Sequence, residues 1–541
     1  MSNARGSCWE ILDHLITGND EGFISAELLA WKDARQSGCE GLKRVHELPE
    51  AGAHTGWLIT DSQIETQVGG LPGRIRSLPR ANDKTGIKKQ MTKSLRAASR
   101  WIFCAALIYA PWAYGGTTSA SIQTIDLLLL AAFILWVIEL VVSGRRPGLP
   151  RLVFFVALAL IGIGGWMVFN ARSIYDPDFS VFVPLRNFAP HLAGSADYAI
   201  SAAWMIRGAL LLCAVLFVAD LSRSDRWLLR LWYVVGLVAG SIALLGLLQK
   251  ATGARMIFWQ TAPPWGVGTF FATYYYHANA GAYLNLVWPL TAGLAIRAFT
   301  RPCHPTVRAM WISIFVLTVA AVLANTSRVA QLIALLLLVA ICVQFGPVLL
   351  RKLSRTEKNV VFAGALAILL ALVAFGQASH LEQPLNRWQS LSKRTSEDAR
   401  WQASHLAVNA LRDIGFFGFG PGTFRVVFPS YNNVSTNHVP GTWRFLHEDY
   451  LQTALEWGWI GASLWALLFL GGIADGIRSF KKYASHWTPR RRLLLPLVVI
   501  ALFGVALHAL VDFPLQIASI QLYVATYLGL CWGSGMWGGR S

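Results

Sequence analysis

Charged residues are scarce in this sequence. Only 14% of its 541 residues are Asp, Glu, Lys or Arg, whereas 54% are hydrophobic. A water-soluble protein of this size carries about 25% charged residues. Most of the chain is therefore not built to face water, and this scarcity favours an integral membrane protein.

Paired cysteines are missing as well. The seven cysteines form no Cys-x-x-Cys pair, have no histidine at zinc-ligand spacing, and avoid the segments that we place outside the cytoplasm. They are Cys8, Cys39, Cys104, Cys213, Cys303, Cys342 and Cys531. This pattern suggests neither a disulfide framework nor a zinc site. We therefore expect no metal and no cofactor.

Positive charge is plentiful, at +18 net. The basic residues do not form one Arg/Lys stripe with interleaved aromatics, but lie in short clusters between apolar segments. Such clusters are typical of membrane topology rather than of nucleic-acid binding, so no nucleic-acid partner is expected.

Twelve apolar segments follow Trp101. Each is long enough to approach or cross a hydrocarbon layer roughly 30 Å thick, which takes about 20 helical residues. They are 101–116, 122–143, 151–170, 198–220, 227–249, 278–298, 309–325, 328–349, 359–378, 450–473, 492–511 and 514–534. The fold class predicted is an all-α integral membrane protein with about twelve transmembrane helices, 101–378 holding the first nine and 448–541 the last three.

Orientation follows from the loops. Five alternate loops carry nineteen basic residues, whereas the short turns 117–121, 326–327 and 512–513 carry none. Cytoplasmic loops are the ones enriched in Lys and Arg. We expect a multi-pass membrane protein with both termini cytoplasmic.

Residues 1–100 are polar and mixed in charge, and read as a cytoplasmic, poorly ordered extension. Met91 would itself be a reasonable start for a membrane protein. Residues 1–90 are therefore expected to be dispensable, or even a start-site artefact.

Three predicted outer segments are long: 171–197, the aromatic-rich 250–277, and 379–447. Loops above about 12–15 residues are usually functional or disordered. The third contains amphipathic material at 399–414, a glycine-rich segment at 415–422 and a net charge of +3 between His380 and His447. We predict a large folded extracytoplasmic loop between helices nine and ten, suited to an anion.

His447, Glu448 and Asp449 stand in succession where this polar segment meets an apolar helix. Imidazole has a pKa of about 6.5 and suits a general base at neutral pH. Acidic residues at a helix start can also serve only the helix dipole, so both interpretations stay open.

Several arginines are candidates for binding phosphate. Arg328 is the cation beside the very short outer turn 326–327, and Arg207 lies inside a membrane helix, where a charge must face the bundle interior. A guanidinium matches phosphate oxygens bidentately, although an arginine at a helix end can also simply snorkel. Arg255, Arg400 and Arg425 add cations in the outer segments.

Two polar sites lie within predicted spans. Glu456 stands near the start of helix ten, and His508 and Asp512 are four residues apart in helix eleven. For all three, hydrogen bonding between helices is the simpler interpretation.

Five motifs in order resemble the O-antigen ligase and polymerase superfamily of bacterial polysaccharide membrane proteins. These are 268–270 with 277–285, 326–328, 418–431, 447–452 with 456–461, and 508–516. The resemblance covers about 101–534, with the large outer loop in the expected place.

This resemblance implies a metal-independent, inverting glycosyltransferase. The enzyme would move a glycan from undecaprenyl diphosphate to an acceptor hydroxyl on the outer face of the inner membrane. In the family, the residues matching His447 and Arg328 are the functional pair, with a further arginine before the Gly-x-Phe segment. Here Trp265 precedes that segment, and the nearest upstream arginine is Arg255.

The remaining substrate-binding candidates are Arg207, Arg425, His277, Asn279, Glu448 and Asp449. The motifs do not separate ligase from polymerase, and a transferase acting on protein is a further possibility. The acceptor would be lipid, polysaccharide or protein, surrounded by membrane lipids. A transporter is the rival class, because intramembrane ionisable groups also mark ion paths, but we find no internal repeat of the kind many transporters show.

Overall fold

A computed structural model describes residues 83–176, 178–179, 181–186, 188–263, 269–352, 399–434 and 439–537. Thr92–Ser541 form one compact unit, and Met1–Met91 form a separate one. Most of the predicted N-terminal extension, the predicted helix 359–378 and the loop segment 379–398 lie outside the described residues.

Within those ranges the chain forms thirteen α-helices and one antiparallel hairpin. They are α1 (Asp83–Trp112), α2 (Ser119–Ser143), α3 (Arg151–Phe169), β1 (Ser173–Asp176), β2 (Val181–Pro184), α4 (Tyr198–Leu221), α5 (Asp225–Ala251), α6 (His277–Thr300), α7 (Pro305–Ala324), α8 (Arg328–Lys352), α9 (Ala399–Ala410), α10 (Phe424–Val434), α11 (Asp449–Tyr483), α12 (Pro489–His508) and α13 (Ala518–Gly533).

Eleven of the twelve predicted apolar segments fall on these helices. Eight of the described helices are long and apolar enough to cross a membrane. The chain is therefore a mostly helical, multi-pass membrane protein, whereas the count of twelve spans stays a prediction.

Helices α6 and α13 are buried along almost their whole length. Helices that are apolar on every side belong inside a bundle rather than at its surface. α6 packs against α7 and α12, and α13 packs against α4 and α11. Tyr283 of α6 and Tyr523 of α13 meet edge to face, with ring centroids 5.2 Å apart. These two helices form the centre of the bundle.

The bundle has two ends, which we name by what they carry. The site end holds the starts of α6, α8 and α11 and the end of α12. The opposite end holds the ends of α2, α4 and α11 and the start of α12. The described short basic loops lie at the opposite end.

Three helix boundaries differ from the predicted ones. α1 begins at Asp83, inside the predicted extension. α11 begins at Asp449 rather than at His447, because the Glu448 side chain caps it by accepting from the backbone N–H groups of Tyr450 and Leu451. α12 ends at His508, so Asp512 lies in the following turn and not on the same helix face.

The described part of 379–447 is folded. α9, α10 and the start of α11 share a small apolar core of their own. Its buried members are Ala403, Ala407, Ala410, Ile414, Phe424, Phe428, Leu446 and Leu455. This core fixes the segment that delivers His447 to the membrane helix.

Glycines allow the glycine-rich segment to pack directly on α11. The helix is broken at Gly458, with φ 64° and ψ −173°, a conformation that residues with a side chain avoid. A Cβ on Gly418 would lie 2.4 Å from the Gly458 nitrogen. The N–H groups of Phe419 and Gly420 donate to the carbonyls of Leu455 and Glu456, each at 2.9 Å. The outer segment is thereby joined to the membrane helix by backbone hydrogen bonds.

Candidate functional site

His447 has a left-handed backbone conformation, with φ 62°. Such a conformation is uncommon for a residue with a bulky side chain and persists only where the surroundings enforce it. On one side, the Leu446 N–H donates to Gln452 Oε1 at 3.0 Å. On the other side, Glu448 caps α11. Fixed anchors on both flanks therefore hold the imidazole in place.

The imidazole is hydrogen-bonded to a carboxylate. His447 Nδ1 lies 3.0 Å from Asp512 Oδ1. An ionised carboxylate can only accept, so Nδ1 carries the proton and Nε2 keeps its lone pair. The His447 side chain is 21% exposed, which leaves the ring accessible from the surface. This arrangement suits a general base.

Asp512 is itself buried and well ordered by hydrogen bonds. The Phe513 N–H donates to Oδ1 at 3.0 Å, and the Tyr276 hydroxyl donates to Oδ2 at 3.4 Å. Burial opposes ionisation, but the hydrogen bond and charge of His447, with the charge of Arg400, lower the pKa of Asp512 below its ordinary value. Asp512 is therefore ionised at neutral pH and orients His447.

Tyr276 links this pair to an arginine. Arg400 Nη2 donates to the Tyr276 hydroxyl at 2.7 Å. One connected polar chain thus links Arg400 of α9, Tyr276 at the start of α6, Asp512 in the turn after α12 and His447 at the start of α11.

Aromatic rings enclose the imidazole. Phe513, Trp443 and Tyr276 present their rings edge-on or nearly so, with centroids 4.6, 5.8 and 6.2 Å from that of His447. These rings pack around part of the imidazole and leave its exposed part open to the surface.

Glu448 and Asp449 do not orient His447. The Glu448 carboxylate caps α11, and burial raises its pKa above the ordinary value in spite of those two bonds. Asp449 is fully buried and accepts from Leu515 N–H and Gln516 Nε2, both at 2.8 Å. Both carboxylates therefore hold the backbone of the site together rather than facing a substrate.

Arg328 belongs to the same end of the bundle. It is the first residue of α8, after the turn 325–327. Asn325 Nδ2 donates to the His277 carbonyl at 2.9 Å, and the ring of His277 lies against Tyr276, with centroids 4.9 Å apart. The turn before Arg328 and the His447–Asp512 pair are therefore built on one segment, 276–277.

The other predicted residues occupy several places. Asn279 is buried in α6, and its Oδ1 has no hydrogen-bond partner among the described residues. Arg255 lies exposed after α5, and no described contact joins it to His447 or Arg328. Arg207 and Arg425 lie beside the glycine-rich segment, away from the contacts that hold Arg328.

Glu456 accepts three hydrogen bonds. The N–H groups of Gly422 and Phe424 donate to it at 2.9 and 3.3 Å, and Gln452 Nε2 donates at 3.0 Å. It caps α10 and joins the outer segment to α11. Its hydrogen bonds join α11 to the start of α10 and to the glycine-rich segment before it.

Sequence reasoning missed three members of the polar chain. From the sequence, Asp512 is interpreted as a helix-to-helix contact, Tyr276 as one of the aromatic residues of the second outer segment, and Arg400 as one of the cations of the outer segments. The signal available for Asp512 was its place within the family-like segment 508–516. Nothing in sequence order links Tyr276 or Arg400 to His447, because those contacts span 124 and 236 residues along the chain. Within the described ranges, no group of three or more His, Cys, Asp or Glu side chains forms a metal site.

Comparison with known proteins gives one family. Residues 313–466 match the family model described as O-antigen ligase. The matched segment includes Arg328, Arg400 and His447, whereas Tyr276 and Asp512 lie outside it. No curated protein matches the chain.

Proposed function

We propose that this chain is an O-antigen ligase-like glycosyltransferase, and the match of residues 313–466 to the O-antigen ligase family model supports the proposal. It moves a glycan from undecaprenyl diphosphate to an acceptor hydroxyl on the periplasmic face of the inner membrane. A polysaccharide polymerase of the same superfamily and a protein O-oligosaccharyltransferase share this chemistry and differ in the acceptor.

The His447–Asp512 pair at the start of a membrane helix is the observation that carries the proposal. His447 Nε2 takes the proton of the acceptor hydroxyl while that oxygen attacks the anomeric carbon of the donor sugar. The bond from that carbon to the diphosphate oxygen breaks, and undecaprenyl diphosphate leaves as an anion. In-line attack inverts the anomeric centre, and Asp512 stabilises the imidazolium that forms.

The leaving group needs cations rather than a general acid, because a diphosphate already leaves readily. Preorganised positive charge lowers the cost of the negative charge that develops on it. Arg328 and Arg400 are the arginines connected to the pair through 276–277 and Tyr276. We assign the diphosphate to them.

The topology favours this location. The described basic loops join neighbouring helices at the opposite end of the bundle. Loops enriched in Lys and Arg are typical of the cytoplasmic side. The site end then faces the periplasm, where lipid-linked glycans are used, and both termini of the membrane unit are cytoplasmic. A transporter is less well supported, since Glu456 and Asp512 are engaged in hydrogen bonds that build the site.

Substitution of His447 tests the proposal. Purified His447→Ala protein, incubated with a lipid-diphosphate glycan and candidate acceptors, should lose transfer by at least about 100-fold, since a positioned base contributes about 10²–10⁴-fold. The matched control is His405→Ala, which removes an exposed histidine of α9 and should transfer normally.

Full transfer by His447→Ala at an unchanged amount of membrane protein would rule the mechanism out. The product of the normal enzyme also decides the acceptor class. Extension of the lipid-linked chain itself would identify a polymerase, and glycan on a lipid or protein acceptor would identify a ligase or protein transferase.

A further inference from the structure

Three arginines lie near the glycine-rich segment: Arg207 of α4, Arg425 of α10, and Arg444, which precedes His447 by three residues. We name them the Arg207 cluster. None of the three forms an ion pair with a carboxylate within the described residues. Arg207 is only 8% exposed, and its Nε has no hydrogen-bond partner there. A buried guanidinium without an acceptor is costly.

Close backbone packing brings the first two arginines together. The Arg207 guanidinium lies over the Trp204 ring, 4.9 Å from its centroid. Gly422 touches the same ring from the other chain segment, because a Cβ on Gly422 would be 2.0 Å from Trp204 Cδ1. Arg425 stands one turn after Gly422, at the start of α10.

Aromatic packing adds the third arginine. Phe428 of α10 lies against Trp443, with ring centroids 6.1 Å apart, and Arg444 is the next residue. The side chains of Arg425 and Arg444 reach solvent even though protein surrounds them.

Carboxylates only partly offset the charge of this cluster. The charge of Asp126 in α2 acts on Arg207, but no ion pair joins the two side chains among the described residues. Burial, together with the positive charges of Arg425 and Arg207, lowers the pKa of Arg444 to about 10. Asp197 and Glu456 lie near Arg425, but Asp197 caps α4 and binds the Tyr175 N–H, and Glu456 is held by three donors. Both carboxylates are therefore already committed to backbone or amide groups.

The cluster is close to the base but separate from the cations of the donor site. Arg444 precedes His447 by three residues, a distance of at most about 10 Å along the chain. The Arg444 guanidinium lies over the Phe445 ring, 5.5 Å from its centroid, and the charges of Arg425 and Arg207 act on it. Arg400 instead contacts Tyr276, and the turn before Arg328 contacts His277.

Building on the proposed function, we propose that the Arg207 cluster binds an oxyanion of the acceptor, a phosphate or a carboxylate carried on or next to the sugar that is attacked. The cluster thereby selects anionic acceptors. Guanidinium groups suit both oxyanions, because their forked donors match paired oxygens. The donor diphosphate stays with Arg328 and Arg400.

Matched acceptors test the selection. The full chain is assayed for transfer from a lipid-diphosphate glycan to octyl glucoside, octyl glucuronide and octyl glucoside 6-phosphate. The KM for one or both charged acceptors should be at least tenfold below that for the neutral one, and the better charged acceptor identifies the natural oxyanion. In the Arg425→Gln/Arg444→Gln double variant, that KM should rise roughly 10- to 100-fold, with the neutral acceptor and the donor KM unchanged.

The control is Arg412→Gln, which removes an exposed arginine just after α9 and should change nothing. Equal use of neutral and charged acceptors by the normal enzyme would overturn the proposal. An increase in the donor KM in the double variant would also overturn it, and would move the diphosphate to this cluster.

Binding separates this proposal from the proposed function. Glucose 6-phosphate or glucuronate, but not glucose, should raise the melting temperature of the normal protein, because a ligand that binds the folded state stabilises it. The shift should persist in Arg412→Gln and His447→Ala and vanish in the double variant. If no acceptor is glycosylated but this shift is seen, the transferase function fails and the anion site stands. If neither charged sugar shifts the melting temperature, the anion site fails.

Discussion

The two ends of the helical bundle treat their charges differently. At the opposite end, Arg145 pairs with both buried carboxylates, Glu139 and Asp220, at 3.1 and 2.8 Å, and Arg96 of α1 also binds Glu139. At the site end, the buried carboxylates of Asp449 and Glu456 accept from backbone and amide N–H groups, and Asp512 accepts from His447.

This difference determines what the arginines do. At the opposite end, arginines neutralise carboxylates, and these ion pairs hold α1, α2 and α4 together. Where amide groups satisfy the carboxylates, the guanidinium groups of Arg207, Arg425 and Arg444 keep their capacity for an external anion, as far as the described residues extend. The predictions below test this division between a structural end and a chemical end.

Among these variants, Asp220→Asn should have the largest effect, and the quantity that it lowers is the free energy of unfolding. Asp220 accepts from Arg145, the Gly148 N–H and Trp136 Nε1. Removing one partner of a buried ion pair costs about 3–5 kcal/mol. Because Arg145 keeps Glu139, we expect the lower end of that range. Thermal unfolding in detergent measures it, with transfer per folded molecule unchanged.

The exposed Asp178 of the hairpin offers a control, since Asp178→Asn should melt normally. A stable Asp220→Asn protein with reduced transfer would place chemistry at the opposite end and break the division between the two ends.

Asp512→Asn should lower kcat by about 100-fold, with the donor KM nearly unchanged, because the carboxylate orients the base and stabilises its protonated form. Asp413→Asn, at an exposed site after α9, is the control. If Asp512→Asn raised KM and left kcat intact, Asp512 would bind substrate instead of positioning His447.

The melting temperature of Asp512→Asn should also depend on pH differently from that of the normal protein. The native pKa of Asp512 lies below its unfolded value, which is about 3.9. The carboxylate therefore stabilises the fold above that pH, and this contribution is lost as the pH falls through the lower native pKa. The difference in melting temperature between normal protein and Asp512→Asn should shrink as the pH falls below about 4.

Glu448→Gln should have the smallest effect, within about 1 kcal/mol. Burial raises the pKa of Glu448, so the native state holds its proton more tightly than the unfolded chain does. The ionised carboxylate therefore costs stability as the pH rises through the native pKa. Gln keeps an acceptor for the α11 cap without that cost. The melting temperature of the variant, relative to the normal protein, should be higher at pH 7 than at pH 4, and the opposite trend would reassign the cap.

Much of the fold could be predicted because apolar length and loop charge are local properties. Eleven segments predicted from hydropathy lie on helices. Two helix boundaries differ from the predicted ones for reasons other than apolar length and loop charge. The Glu448 side chain caps the start of α11, and a turn after His508 ends α12. His447 and Arg328 were identifiable from local context, as a histidine and an arginine at polar breaks between apolar segments.

The sequence by itself predicts a helical membrane protein with its basic loops on one side of the membrane. It also predicts His447 and Arg328 as functional candidates on the other side. The tertiary structure decided which groups act on them. It brings Asp512, Tyr276 and Arg400 to His447, and brings Arg207, Arg425 and Arg444 near one another. Hydropathy is summed along the chain, whereas a hydrogen bond or a shared charge depends on distances between helices far apart in sequence, which only the packed bundle fixes.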